Sequence, residues 1–481
     1  MLTSRPLPMF PPTVWGPRVV ATTLGLGLAV AAGTFAAHES SRDLALVALA
    51  ALVGFLLVVL AFTRFEAFVL TLLALRASVD WTKAPSAIGE PTRPGAMSTA
   101  IALLFLGAGA MWLLVQVRTG RFVPPSLLSL AWSAFVVIAL ISAVAADRRL
   151  ESLAEWGRIA TAVGMLLVLQ QMLGRGGDVR RVLTACFVSA LVPLGLAAYQ
   201  AAVGGAIQPD AVVRVHGTFA HANAFGFYLV LLLVMGLSLL PHVGVRVRPL
   251  LLVLLWGAGA ALVVTYSRGS WVAFLAGLVV VGVLQSPRLI PLVLGLAAVV
   301  VLSVAPVTGR ILEIRPEQEV AGVEGNSLAW RFDHWGTVTR LADASPIIGI
   351  GPKMTQYVTD SAKVPHNDYL RAYVETGILG LCAYAAVVAA LIHTARNALS
   401  WAPPGFGQGV AVGFAGCTAA FLIFGVAENL MSQVAVLWYF AAFAAAAVTV
   451  SRWPPDPGGV QRILRRPSPT VGSAPTPSGW R

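Results

Sequence analysis

Apolar runs of about twenty residues recur along this chain, and no other feature restricts its fold as strongly. A helix rises 1.5 Å per residue, so each run is long enough to cross the roughly 30 Å hydrocarbon layer of a bilayer. Composition agrees. Of 481 residues, 57% are hydrophobic and only 11% charged. Soluble proteins carry about 25% charged residues. The expected fold class is an all-α, polytopic integral membrane protein with about fourteen transmembrane helices.

The runs place those spans near 19–37, 43–63, 65–80, 98–117, 125–146, 153–173, 181–203, 222–240, 247–265, 270–285, 288–306, 372–394, 408–427 and 431–451. The organisation follows. Residues 1–18 form a Pro-rich tail and 19–203 an N-terminal set of helices. Residues 204–306 carry helices with Arg motifs, and 307–371 a long polar loop. The last helices fill 372–451, and 452–481 form a Pro-, Ser- and Arg-rich tail. Both tails have the composition of disordered segments. Placing the N-terminus inside gathers Arg118, Arg121, Arg180, Arg181, Arg246 and Arg248 in inside loops, as the positive-inside rule requires. Both termini are then cytoplasmic. The net charge of +12 suits anionic lipid headgroups and calls for no nucleic acid. Cys186, Cys382 and Cys417 all fall within spans, without metal spacing, and read as small apolar residues.

With this topology the distinctive polar segments share the outer face. Arg214 to Phe225 precedes the eighth span, and Thr265 to Trp271 follows the ninth. The long loop ends at His366, and Glu428 and Asn429 separate the last two spans. Each candidate has two readings. Arg268 either snorkels to headgroups from a helix end or clamps an anion, with Gly269 letting a phosphate approach a helix N-terminus. Residues 327–342 read as an amphipathic interfacial helix with Leu328, Phe332 and Trp335 on one face. Arg331 beside that face either stacks on Trp335 or makes a second phosphate contact. Near His366, Asn367 or Asp368 is a helix N-cap, which leaves the histidine a surface residue. Otherwise His366 beside Asp368 is a general base, its tautomer held by a carboxylate. His216 and His221 are too few for a metal site, and no metal ligand set or cofactor motif is apparent.

Four segments in order resemble the O-antigen ligase and O-antigen polymerase superfamily of bacterial membrane proteins: RVHGTFAHANAFGFYLVLLL, TYSRGSWVAFLAGL, WRFDHWGTVTRLADASPIIGIGP and VPHNDYLRAYVETGILGL. The resemblance spans roughly 200–450. It implies a GT-C-like helical fold in the bacterial cytoplasmic membrane, acting at its outer face without metal or cofactor. The activity implied is inverting transfer of a glycan from undecaprenyl pyrophosphate to an acceptor hydroxyl on a lipid or another glycan. By the same resemblance His366, Arg268 and Arg331 are functional, and Arg214 is a further candidate. Arg315 or Arg340 are alternatives to Arg331. Asp368 or Glu375 would orient His366. Ligase and polymerase share these segments, so both readings stand. A transporter or lipid flippase is the rival from another class, although such proteins place polar groups near the midplane. Here mid-span positions are almost all apolar.

Overall fold

A computed structural model describes residues 53–82, 96–174, 178–207, 213–285, 328–359 and 364–453, with positions 287, 291 and 295. The expected span 19–37 lies outside the described residues, as do all but positions 291 and 295 of the span 288–306 and most of both tails.

The helices, in chain order, are α1 (Val53–Thr63), α2 (Phe65–Arg76), α3 (Ala96–Arg118), α4 (Leu127–Ala145), α5 (Arg149–Leu173), α6 (Val179–Val188), α7 (Leu191–Ala202), α8 (Ala222–Leu239), α9 (Arg248–Val264), α10 (Arg268–Gln285), α11 (Leu328–Leu341), α12 (Thr355–Val358), α13 (Asp368–Trp401), α14 (Phe406–Gly425) and α15 (Val434–Val450). A two-residue antiparallel pair, β1 (Ala206–Ile207) with β2 (Val213–Arg214), precedes α8. Eight helical stretches among the described residues are long and apolar enough to cross a membrane, and α1, α9 and α15 are shorter apolar helices. The protein is an all-helical polytopic membrane protein apart from that strand pair. Two expected spans change form. The run 65–80 becomes the 12-residue α2 followed by a 3-10 turn at Ala77–Thr82. The run 181–203 is broken at Ser189–Ala190 into α6 and α7.

Helix α8 lies at the centre, buried along almost all its length, with α14 and α15 beside it. Lipid tails are as apolar as leucine, so close backbone approach rather than the hydrophobic effect holds such helices together. Gly277 of α10 and Gly416 of α14 show this. A Cβ at Gly277 would sit 3.0 Å from the Gly416 carbonyl oxygen, and one at Gly416 would sit 2.8 Å from the Gly277 oxygen. Val234 of α8 packs on both. Phe227 and Phe424 stack above them at 4.4 Å between centroids.

Helix α13 is broken near its start. Gly377 takes φ 67°, a left-handed conformation open chiefly to glycine. The break frees backbone groups that lipid could not satisfy. The turn after α11 slots against it and supplies the partners. The amides of Ile378 and Leu379 donate to Pro346 and Ile347, and those of Ile350 and Gly351 donate to Val374 and Glu375. A Cβ at Gly377 would come within 2.2 Å of the Ile347 oxygen, so no larger side chain fits. The expected span 372–394 therefore lies within a longer, interrupted helix that begins among the polar residues.

Candidate active site

The N-terminal ends of α5, α8, α10, α13 and α15 and the C-terminal ends of α4, α9 and α14 meet at one end of the bundle. There the polar segments singled out in the sequence come together. The strand pair and Gln200 position Arg214. The Gln200 carboxamide accepts from the His216 and Gly217 amides and donates to the Gly217 carbonyl. The Arg214 guanidinium then donates from Nε to the Thr265 carbonyl at 2.8 Å, at the C-terminal end of α9, where the helix dipole favours a cation. It also donates to Asn223 Oδ1 at 3.2 Å.

Asn223 passes the connection on. Its amide donates to Glu428 Oε1 at 2.7 Å. The same oxygen accepts from Arg331 at 3.2 Å, and Glu428 Oε2 lies 3.4 Å from His366 Nδ1. A second Arg331 nitrogen donates to the Ala427 carbonyl at 2.7 Å. Glu428 is thus the hub on which Asn223, Arg331 and His366 converge. Burial pushes its carboxyl pKa up, but the His366 and Arg331 contacts outweigh this and hold it below the ordinary range. Asn429, its neighbour, is buried with Oδ1 unpartnered among the described residues.

Arg268 opens α10 on the rim of this hub. Tyr266, at φ 51°, turns the chain out of α9, and Gly269 follows Arg268. A Cβ at Gly269 would lie 3.9 Å from Glu428 Cγ, so the α10 N-terminus and the carboxylate share one wall. The α10 N-terminus that bears Arg268 therefore borders the cluster of Glu428, Arg331 and His366.

The loop helix α11 forms where the amphipathic pattern placed it, with a different face inward. Phe332 is exposed, while His334, Val338 and, just beyond, Ala342 are buried. Val338 and Ala342 pack on Val374 of α13. Arg331 lies on this inner side and reaches Glu428 and Ala427. Arg340 is exposed, and Arg315 lies outside the described residues. Trp335 donates to the Pro365 carbonyl at 2.5 Å, fastening the helix beside His366.

His366 itself takes φ 52°, which turns the chain sharply before α13. Asn367 is the N-cap, accepting from the Leu370 amide at 3.0 Å. Neither carboxylate expected to orient His366 is placed for it. Asp368, fully buried, accepts from the Leu430 and Met431 amides. Glu375 accepts from Arg371 and Thr355, each at 2.8 Å. The turn at His366 sends the next side chains inward, and the carboxylate recorded beside the imidazole belongs to Glu428, distant in sequence. Nothing in the sequence announced that partner except its position between the last two spans.

Arg371 and Glu375 belong to a second cluster. Arg371 also donates to Glu155 at 3.1 Å and to the Ser432 hydroxyl, and Arg158 donates to Glu155 at 2.7 Å. Among the described residues no group of three or more His, Cys, Asp and Glu could hold a metal ion.

Residues 250–385 match the model of the O-antigen ligase family. The matched stretch contains Arg268, Arg331 and His366, whereas Arg214, Asn223 and Glu428 come from flanking segments on either side of it. Among curated proteins the chain finds no match.

Proposed function

We propose that this membrane enzyme of the O-antigen ligase type transfers a glycan from undecaprenyl pyrophosphate to an acceptor hydroxyl at the outer face of the bacterial cytoplasmic membrane. The observation that carries the reading is the meeting of His366, Arg331 and Glu428 on the rim opened by Arg268, at one membrane end of the bundle. Nucleotide energy is absent outside the membrane, so the donor must arrive activated, and a pyrophosphate leaving group carries that activation.

Arg268 and Arg331 hold the pyrophosphate, since a planar guanidinium stays charged and binds phosphate oxygens bidentately. Arg214 supports the rim through Asn223. His366 takes the proton of the acceptor hydroxyl, whose oxygen attacks the anomeric carbon. The bond from that carbon to phosphate oxygen breaks, its electron pair leaves with undecaprenyl pyrophosphate, and the sugar configuration inverts. Glu428, rather than Asp368 or Glu375, is the positioning residue. It holds the proton on His366 Nδ1, makes Nε2 the basic nitrogen and stabilises the imidazolium that forms. Guanidinium groups fill the role that a metal ion fills elsewhere, and the helical framework is of the GT-C kind.

The test is reconstitution of the purified chain with undecaprenyl-pyrophosphate-linked oligosaccharide. One arm supplies lipid A-core as acceptor and the other a second lipid-linked unit, which separates ligation from polymerisation. Glycosidic product in either arm, lost in His366→Ala and unaffected by a chelator, is expected. Normal turnover in His366→Ala removes the base from the scheme, and loss on chelation removes the metal-free mechanism.

A further inference from the structure

At the opposite end of the bundle, the starts and ends of three helices surround a cavity of about 200 Å³. Its polar lining comes from Ser126, His393, Thr394, Asn397, Ser451 and Arg452. Ser126 is the N-cap of α4, Arg452 follows the end of α15, and the others but Ser451 belong to α13. From the break at Gly377 to His393, α13 covers roughly 24 Å at 1.5 Å per residue, most of a hydrocarbon layer, and Asp368–Thr376 lies beyond the break. The cavity therefore sits at headgroup depth on the side away from His366.

Its chemistry is that of an anion site. No Asp or Glu lines it. The hydroxyls of Thr394 and Ser451 are already committed to the carbonyls of Ala390 and Val448. Ser126 is committed to Ser129 and Gln170. What remains for a ligand are the Arg452 guanidinium, the Asn397 amide and the His393 ring. The positive end of the α4 dipole opens on the same space. A water occupies about 30 Å³ of liquid, so the cavity holds a phosphate group with a few waters. This end of the bundle also carries Arg118, Arg180, Arg181, Arg246 and Arg248. Clustered arginines at a membrane surface draw anionic lipid toward it.

We infer that this cavity is a binding site for the phosphate of an anionic phospholipid, separate from the transfer site. Arg452 supplies the charge, Asn397 a neutral donor, and the alkyl chains lie along the exposed apolar flanks of the bundle. The test uses the full chain, purified in detergent and stripped of lipid, and reads its thermal midpoint during titration with phosphatidylglycerol. A saturable rise is expected. Arg452→Gln and Asn397→Asp should each need at least ten-fold more lipid for the same rise, while Arg118→Gln, at the same membrane end but outside the cavity, should titrate like the parent. Phosphatidylcholine should give no saturable rise. If millimolar inorganic phosphate reproduces the effect and competes with the lipid, the site stands and its ligand is a soluble phosphate. If both cavity variants titrate like the parent, or phosphatidylcholine matches phosphatidylglycerol, the inference fails.

Discussion

Two polar clusters share one end of the bundle, joined by the short segment 427–432, and they are built in opposite ways. In the first, Arg371, Glu155 and Glu375 have side chains 1%, 2% and 4% exposed, Arg158 is 19% exposed at the edge, and the two arginines, with Lys353 acting on Glu155, face two carboxylates. Nearly every donor there meets a protein acceptor, and Ser432 and Thr355 take up remaining positions. In the second, one carboxylate, Glu428, faces Arg331 and His366, which are 12% and 21% exposed, beside the α10 N-terminus that bears Arg268. The first has a buried centre in which each carboxylate is held by an arginine. The second keeps a surplus of positive charge at an accessible edge. A buried, mutually paired set fixes helices; an open cationic set has capacity left for an anion.

The sharpest way to break this contrast is to unbalance the closed cluster. Arg371→Ala leaves Glu375 buried without its cation and Glu155 with Arg158 alone, and breaking a buried pair in this way typically costs about 3–5 kcal/mol. Folded protein should largely disappear from the membrane fraction, as judged by size exclusion in detergent. Removing one charge of each sign, as Arg371→Met with Glu375→Gln, keeps Arg158 paired with Glu155 and should restore a folded chain with measurable transfer activity. If Arg371→Ala stays folded and loses only activity, the cluster is part of the active site and the contrast collapses.

The open cluster should answer in activity instead. His366→Ala is expected to lower turnover by about 10²–10⁴-fold, the usual contribution of a general base, with unchanged protein level and thermal midpoint. A thermal midpoint that falls as far as that of Arg371→Ala would show that His366 belongs to the framework.

Glu428→Gln should fall between the two, with roughly 10–100-fold less activity and an altered pH profile, by analogy with orienting carboxylates elsewhere. Its carboxyl sits below the ordinary value in the folded protein because His366 and Arg331 together outweigh burial. A depressed carboxylate stabilises the fold fully above the unfolded value, near about 4.3, and this is lost as pH falls through the folded value. The stability difference between parent and Glu428→Gln should hold from pH 8 to pH 6 and shrink below about pH 4. A difference that grows in acid contradicts the assignment.

The contrast also separates what could be read from the residues alone from what could not. The membrane class and the gathering of polar segments at one end follow from hydropathy, and the roles proposed for Arg268, Arg331 and His366 come from the resemblance of short segments to the O-antigen ligase and polymerase superfamily; both signals are local. Glu428 does not, because its partners lie about 60 to 200 positions away and periodicity says nothing about which helix ends meet. Asp368 looked the better partner for being two residues from His366, yet the left-handed turn at His366 sends it to the amides of Leu430 and Met431. In α11 the aromatics drew attention to the Phe332 side. At an interface aromatic rings prefer the lipid boundary, so the packed face fell to the smaller Val338 and Ala342. The break at Gly377 hides within an apolar helical pattern, since only the docking of residues 346–351 makes it favourable.

The smallest expected effect decides which loop arginine serves the site. Arg331 and Arg340 sit on the same helix, but Arg331 donates to Ala427 and Glu428 whereas Arg340 is exposed near the helix C-terminus. Arg331→Lys keeps the charge but cannot hold two acceptors in one planar fork, so transfer should fall by about ten-fold or more. Arg340→Ala removes an exposed charge, a change usually within about 0.5 kcal/mol, and should leave activity within roughly two-fold of the parent. Steady-state rates of the two variants, measured on the same lipid-linked donor, make the comparison. Equal losses would mean that positive charge on α11, and not the reach of one guanidinium to Glu428, is what the transfer site uses.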